Sequence, residues 1–258
     1  MKPLLLAITM AMPFFCLSQY TYENVVVDFA SPQNATFKNL RLYPVRAKES
    51  FKLEFQTVGK YLTLQEALAK NKIKITEQDE SGNVEELTME NISSETIIVL
   101  PGEIIKGGKQ DRVIRKDVVL APRSGKKKLP VFCVESGRWS DRQTHKSGGA
   151  AEFKSYHSKA ALSLRKVVEK ESDQSRVWNE VATITQKNKT TTSTKTYTAI
   201  TSSTELNDQL SQYSSYFLNK LKTQNDIIGV IVVTGDRVVG CDLFATHNLF
   251  AAQLESLL

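Results

Sequence analysis

The stretch LPVFCVESGRW, residues 129–139, marks the point where this chain changes from predicted strands to predicted helices. Its first seven residues, 129–135, are mostly apolar and rich in Val and Phe, which is typical of a strand. Earlier runs of similar character predict strands at 25–29, 37–43, 51–55, 72–76, 84–89, 96–100 and 112–120. A single short helix interrupts them through residue 69, because Thr63 and Glu66 have the spacing of a capping box.

Helical periodicity dominates after residue 139. Apolar residues at helical intervals predict helices at 158–171 and 173–186, and a third that begins at a Ser202/Glu205 cap. The chain then returns to a buried strand at 227–233, a turn, a strand at 237–239 and a last helix from about residue 246. Strands followed by helices predict an α+β fold rather than alternating βαβ units.

This order predicts one domain over residues 19–258, preceded by a signal peptide. The β-rich part covers 19–139 and the helical and mixed part covers 152–258. Within the second part, residues 187–203 are dominated by Thr, Ser and Lys, which predicts a mobile surface excursion.

The first 18 residues have the pattern of a secretory signal peptide. Lys2 supplies a positive start, an apolar run follows, and Cys16 and Ser18 are the small residues of a cleavage site. The alternatives are an apolar core element and a lipoprotein acylated at Cys16. The run is too short to span a bilayer, so we expect a secreted or periplasmic protein without a transmembrane segment.

Export changes how the cysteines are interpreted. Cleavage would leave Cys133 and Cys241, and an oxidising compartment favours a disulfide between them. The alternative is that Cys133, which lies in a predicted strand, is a buried free thiol.

Composition and motifs exclude several classes of function. The formal charge is +6, with a basic cluster at 123–128 that we interpret as a solvated loop, since neither interleaved aromatics nor a recognition motif accompanies it. We therefore expect no nucleic-acid partner. The sequence contains neither a nucleophile elbow nor a P-loop nor a dinucleotide-binding glycine pattern. His145, His157 and His247 lack metal-ligand spacing, so we expect no metal site, and no motif specifies a cofactor or an oligomeric state.

Two polar segments are the candidates for a functional site. The second of these segments in chain order lies at the end of the predicted strand 129–135 and carries Glu135, Arg138 and Trp139. Polar groups at strand ends beside a flexible loop are typical of ligand sites in β-rich domains. The structural alternative is a salt bridge between Glu135 and Arg138, with Trp139 covering the sheet edge. The first segment, residues 100–112, combines glycines with charged and amide side chains: Gly102, Glu103, Gly107, Gly108, Lys109, Gln110 and Arg112.

Together these segments resemble the ARG-and-rhodanese-phosphatase-superfamily-associated protein domain. That family has a GE-x-x-x-G-x-x-Q-x-R stretch followed by P-V-x-C-V-E-x-G-R-W, which match residues 102–112 and 130–139 here. The resemblance extends from about residue 61 to the C-terminus and includes 229–244. Because the family is named for an association with ADP-ribosylglycohydrolases, the resemblance implies a role near NAD-derived or ADP-ribosylated molecules.

The first hypothesis is a module that binds a nucleotide-like or sugar-phosphate molecule. Arg112 and Arg138 could form bidentate hydrogen bonds with a phosphate or carboxylate. Trp139 could stack on a base or on the face of a sugar.

Two catalytic hypotheses and a non-catalytic one remain beside it. Glu103 and Glu135 could be the acid and base of a hydrolase if the fold brings them together. Cys133 could be a nucleophile, but a thiol buried in a strand would be inert. A structural or protein-interaction role is the last alternative.

Overall fold

The structure is a computed structural model that describes residues 20–30, 35–78, 85–138, 151–170 and 173–258. The predicted signal peptide and Trp139 lie outside the described residues. The chain is an α+β protein, as predicted, with a strand-rich first half, then helices, then a strand pair and a helix.

The described elements are as follows in chain order. The strands are β1 (Val25–Val27), β2 (Thr36–Phe37), β3 (Leu40–Ala47), β4 (Leu62–Thr63), β5 (Ile73–Glu77), β6 (Glu86–Asn91), β7 (Ile97–Val99), β8 (Glu103–Gly107), β9 (Arg112–Ile114), β10 (Val118–Leu120), β11 (Gly125–Cys133), β12 (Phe153–Lys159), β13 (Ile227–Thr234) and β14 (Arg237–Leu243). The helices are α1 (Glu49–Glu54), α2 (Leu64–Ala69), α3 (Leu162–Lys170), α4 (Gln174–Lys187), α5 (Thr204–Lys222) and α6 (His247–Leu257), with a 3₁₀ helix at Tyr197–Ser202.

Six antiparallel strands form a sheet that closes on itself. Their order is β12-β8-β9-β11-β6-β5. The two outer strands meet, because Thr76 of β5 bridges to Glu152 and the Glu77 N–H donates to the Ala151 carbonyl at 2.9 Å. This contact brings the two outer strands together, so the six strands form a small barrel whose seam is this single bridge.

Alternation along these strands separates two apolar cores. Ile105 of β8 and Val131 of β11 belong to the cluster that also contains Leu87 and Met89. Their neighbours Ile104 and Phe132 belong instead to the cluster with α3 and α4. Successive side chains of a strand point to opposite faces, so the two faces of the barrel strands are buried against different partners.

A second sheet joins the two ends of the chain. Its order is β1-β3-β13-β14, and β2 pairs with β3. Strand β13 lies between β3 and β14 and is buried over most of its length, which confirms the strand predicted at 227–233. Helices α5 and α6 cover one face, with Phe217 and Phe250 in the core, and Phe51 of α1 belongs to a separate cluster with Ile228. A small third sheet has the order β10-β7-β4.

The strand predicted at 51–55 is wrong, because this segment belongs to α1. The sequence FKLEF alternates, but it also places Phe51 and Phe55 four residues apart, on one face of a helix. Their rings lie 4.5 Å apart, and Phe51 also stacks on Tyr20. Leu53, which a buried strand would have covered, is exposed.

Three other boundaries also differ from prediction. Residues 112–120 form two strands, β9 and β10, which belong to different sheets. The basic segment 123–128 is exposed, as expected for a solvated loop, but Gly125 already begins β11. Residues Phe153–Lys159 form a strand that sequence periodicity did not indicate, so the helix expected from residue 158 begins at Leu162.

The helix caps follow the sequence closely. Thr63 and Glu66 form the predicted capping box at the start of α2. The cap of α5 is Ser203 rather than Ser202, because the Ser203 hydroxyl accepts from the Leu206 N–H. Residue 202 instead ends the preceding 3₁₀ helix.

The segment 187–203 is not wholly a surface excursion. Tyr197 is 1% exposed and packs with the α3 and α4 core, and its hydroxyl accepts from the Ala161 N–H at 2.9 Å. Among the helices that the structure describes, none combines the length and the apolar composition needed to cross a bilayer.

Candidate functional site

Gly102, Gly107 and Gly108, in the first polar segment, allow backbone conformations and close contacts that a side chain would hinder. Gly107 ends β8 and Gly108 follows it, with φ values of 136° and 53°, which favour glycine. A Cβ on Gly108 would lie 2.3 Å from the ring of Phe153 and 2.6 Å from a carboxylate oxygen of Glu77. Gly102 lies beneath the side chain of Arg165. The space above these glycines is therefore filled by the protein itself.

Arg112 does not reach a surface ligand. Its side chain is 1% exposed and lies beside Glu77, with Nη2 at 3.4 Å from Oε1. Its Nη1 donates to the Gln110 carbonyl at 2.8 Å, and its guanidinium lies 6.0 Å from the centre of the Phe153 ring. Arg112 is therefore part of the interior of the barrel, and this position does not support its predicted contact with a ligand.

Two neighbouring motif residues join this buried network. The Lys109 N–H donates to Glu77 Oε1 at 3.0 Å, and the Gln110 amide donates to the Glu135 carbonyl at 2.8 Å. Gln110 is 3% exposed, so its side chain connects the two polar segments rather than a ligand.

Glu135 and Arg138 form the salt bridge that the structural alternative anticipated. Arg138 Nε donates to Glu135 at 2.7 Å, and Arg138 Nη2 donates to Asp111 at 3.1 Å. Asp111 also accepts from the hydroxyls of Thr196 and Thr198 at 3.1 and 3.0 Å. Asp111 was not singled out from the sequence, although it lies inside the motif.

These groups line an open depression, which we call the Arg138 depression. Its volume is about 520 Å³. Apart from Gly107, all the residues that line it are polar: Lys106, Asp111, Glu135, Arg138, Glu152, Lys154, Ser155, Thr194, Thr196 and Thr198. The charges of three cations and three carboxylates balance within it.

The structure does not bring Glu103 and Glu135 together. Glu103 begins β8, whereas Glu135 lies with Asp111 and Arg138 beyond the other end of this strand. Strand β8 advances roughly 13 Å between Glu103 and Gly107 at the usual rise per residue. The hypothesis of a catalytic pair formed by these two carboxylates therefore lacks its geometric basis.

Neither Cys133 nor Cys241 forms a disulfide within the described part of the chain. Cys133 is buried in β11, where Gln174 bonds its N–H and its carbonyl, each at 2.8 Å. Cys241 is exposed on β14, in another sheet, so the predicted disulfide is not formed. Cys133 is 1% exposed, and burial raises the pKa of its thiol to about 11, so both access and thiolate formation disfavour the nucleophile hypothesis.

A second pocket, which we call the Lys159 cleft, lies at the other end of β12. It has a volume of about 540 Å³ and lies between the end of β12, the start of α3, the 3₁₀ helix, α5 and the end of α6. Its polar lining includes Tyr156, His157, Lys159, Asn188 and Asn207. Its apolar lining includes Leu162, Ile184, Ile200, Leu206, Leu210 and Leu257.

Several ionisable groups have shifted pKa values at this cleft. Burial lowers the pKa of Lys159, against the attraction of Glu103, its partner in the β8–β12 register. Burial raises the pKa of Glu103 to about 7, although the Leu100 N–H donates to its carboxylate at 2.7 Å. Burial and the charge of Glu103 raise the pKa of Tyr156. Such clustering is more frequent at functional sites than elsewhere.

His157 is held as a neutral ring at the same cleft. Burial lowers its pKa, and its two nitrogens lie 2.7 Å from the Ser158 hydroxyl and 3.2 Å from the Thr198 carbonyl. Within the described ranges, no three or more His, Cys, Asp or Glu side chains are grouped as a metal site would require.

The sequence pointed to three residues of the Arg138 depression, Gly107, Glu135 and Arg138, but not to the Lys159 cleft. The polar run SYHSK, residues 155–159, was the available signal. Only its last two residues were assigned, to the start of a predicted helix at 158, so these side chains were not placed on one strand.

The salt bridge inside the barrel gives a testable stability effect. Arg112→Ala would leave Glu77 as a buried carboxylate without its cation, so we expect a loss of about 3–5 kcal/mol in the free energy of unfolding. Urea denaturation would measure it. The double substitution Glu77→Gln with Arg112→Met removes both charges and should recover part of the loss. Equal stabilities of Arg112→Ala and the wild type would contradict this role.

The stability of the protein should depend on the protonation of Glu103. Its pKa is raised from 4.5 to about 7, so the folded protein retains a proton that the unfolded chain releases. The free energy of unfolding should therefore fall as the pH rises from 4.5 to about 7, by an amount on the order of 3 kcal/mol.

Urea unfolding of the wild type and Glu103→Gln across this pH range would measure the effect. The amide keeps the oxygen that accepts from Leu100, so the variant should lack this component of the pH dependence. Glu169→Gln, an exposed position on α3, is the matched control and should follow the wild type. Parallel profiles for the wild type and Glu103→Gln would contradict the shift.

Comparison with known proteins identifies the family of this chain. Searches of curated proteins and of solved structures gave no match. The model of the ARG and Rhodanese-Phosphatase-superfamily-associated Protein domain, ARPP-1, matches residues 27–258. This span confirms the resemblance of the two polar segments and begins earlier than residue 61, the start expected from the sequence. Because the match covers nearly the whole chain, the protein belongs to the ARG and Rhodanese-Phosphatase-superfamily-associated Protein domain family.

Proposed function

We propose that this domain binds a sugar-phosphate or nucleotide-like molecule in the Arg138 depression. The observation that carries the proposal is the composition of this depression, in which every lining side chain is polar and several are charged. A volume of about 520 Å³ falls within the range of small-molecule sites.

The polar groups of the depression suit both the sugar and the phosphate of such a ligand. Thr194, Thr196 and Ser155 offer hydroxyls, and Asp111 and Glu135 offer carboxylates, which are suitable partners for sugar hydroxyls. The two lysines at the depression, Lys106 and Lys154, are the cations that a phosphate would meet.

Arg138 would contribute to ligand binding mainly through the fixed orientation of its guanidinium. Glu135 and Asp111 already hold its guanidinium through two hydrogen bonds, so it would meet a ligand in a fixed orientation. Trp139 follows it directly in the sequence, and its stacking on a base or sugar stays a prediction. The family resemblance supports ADP-ribose and related molecules as the first ligands to test.

Binding can be measured by calorimetry and thermal shift with ribose 5-phosphate, AMP and ADP-ribose. A ligand that binds only the folded state adds about 2.7 kcal/mol at a hundredfold excess over its dissociation constant. We expect Lys154→Met to weaken binding roughly tenfold or more, because a charge-assisted hydrogen bond is lost. Arg138→Ala should abolish it.

Lys74→Met is the matched control. Lys74 and Lys154 both contact Glu152, at 3.6 and 3.0 Å, but only Lys154 lines the depression. Equal effects of the two substitutions would indicate a general loss of positive charge rather than a site. If none of the three compounds binds, a structural or protein-interaction role replaces this proposal.

We further propose that the chain is exported and functions outside the cytoplasm. The support is the signal-peptide pattern of the first 18 residues. Expression of the full chain in a secreting host should yield a product whose mass corresponds to a chain beginning at Gln19. A product that stays inside the cell with its N-terminus intact would contradict this proposal.

A further inference from the structure

The Lys159 cleft contains a cation, Lys159, that no carboxylate of the described residues pairs with directly. Some exposed lysines form ion pairs, as Lys128 does with Glu86 and Lys154 does with Glu152. The Lys159 ammonium forms neither a hydrogen bond nor an ion pair with the described residues, although Lys159 is partly buried and lines the cleft. An ammonium in such a place is costly unless another charge compensates it.

The charges around Lys159 leave it incompletely compensated. Asp242, on β14, is already held by both guanidinium nitrogens of Arg165, at 2.6 and 2.9 Å. Glu169 of α3 acts on Lys159 only through its electrostatic field, as Arg165 does with the opposite sign.

Two further carboxyl groups, those of Glu103 and Glu255, lie near Lys159 or line the cleft. Glu103 of β8 lies opposite Lys159 in the strand register, and below a pH of about 7 its carboxyl is protonated. Glu255 of α6 lines the cleft without an ion pair to Lys159 among the described residues. The neutral Tyr156 and His157, on the same strand as Lys159, add no negative charge.

The remaining walls of the cleft are largely apolar. Side chains from α3, α4, the 3₁₀ helix, α5 and α6 contribute them, led by Leu162, Ile184, Ile200 and Leu206. Leu210 is 41% exposed at the cleft, which leaves apolar surface available to a ligand. This lining differs from the wholly polar Arg138 depression, so a different chemical class of ligand is required.

We propose that the Lys159 cleft binds an organic monocarboxylate with an apolar body, whose carboxylate pairs with the Lys159 ammonium. One unpaired cation matches one negative charge, and the aliphatic walls match a hydrocarbon chain. Asn188 and Asn207 lie at the same cleft and can donate to the second carboxylate oxygen. This site is separate from the Arg138 depression and does not rest on the sugar-phosphate proposal.

Titration calorimetry with decanoate and decanol tests the charge and the apolar walls separately. The two compounds share a chain and differ in the carboxylate, so decanoate should bind the wild type roughly 10–100-fold more tightly. Lys159→Met should abolish this preference while leaving decanol binding unchanged. Lys166→Met, an exposed position on α3, is the matched control and should keep the preference.

Further measurements make each result decisive. If Lys159→Met does not melt cooperatively, Lys159→Arg replaces it and should retain the preference for decanoate. Lys154→Met should bind decanoate as the wild type does, which distinguishes this site from the Arg138 depression. Equal affinities of decanoate and decanol, no binding of either, or a preference that survives in a folded Lys159→Met would overturn the proposal.

A pH series adds a readout that a merely structural lysine would not change. Ionisation of Glu103 above a pH of about 7 places a competing negative charge opposite Lys159. Decanoate should therefore bind more weakly at pH 8 than at pH 6 in the wild type, and Glu103→Gln should reduce this difference. A pH dependence that is identical in both proteins would contradict the pairing of the carboxylate with Lys159.

Discussion

The buried pair of Arg112 and Glu77 is the constraint on which the polar motif depends. Arg112 holds the Gln110 carbonyl, and the Gln110 side chain holds the Glu135 carbonyl, so one buried cation fixes both polar segments. Arg112 Nε and Glu77 Oε2 have no hydrogen-bond partner within the described residues. A pair with these unsatisfied atoms is a weak source of stability, because desolvation offsets much of the attraction. Its consequence is geometric: Glu135, and through it Arg138, is held in place.

Strand β12 connects the two pockets. Lys154 and Ser155, near its beginning, line the Arg138 depression, whereas Tyr156 to Lys159, at its end, line the Lys159 cleft. The pairing of β12 with β8 has two register shifts, at 153/155 and 156/158. Such irregularities re-aim side chains along a strand. One strand thereby supplies a polar site at one end and a mainly apolar site at the other.

Local signals predicted most elements, and the failures have identifiable causes. The capping box at Thr63 and the apolar run of β13 were correct because each depends on a few adjacent residues. The strand predicted at 51–55 was wrong because FKLEF fits both periodicities, and ring packing of Phe51 with Tyr20 and Phe55 favoured the helix. Strand β12 was missed because its pairing partner β8 lies about fifty residues earlier, and pairing at that distance leaves no local pattern.

The sequence by itself determined the α+β order, the family and three residues of the Arg138 depression, Gly107, Glu135 and Arg138, since these follow from local periodicity and a contiguous motif. Only the tertiary structure decided what each motif residue does. It buried Arg112, separated Glu103 from Glu135, and placed Lys159 opposite Glu103 in a cleft. The physical reason is that burial and charge pairing depend on which strands meet. A side chain's ionisation and access to ligand are therefore properties of the closed barrel and its helices, not of the neighbouring residues.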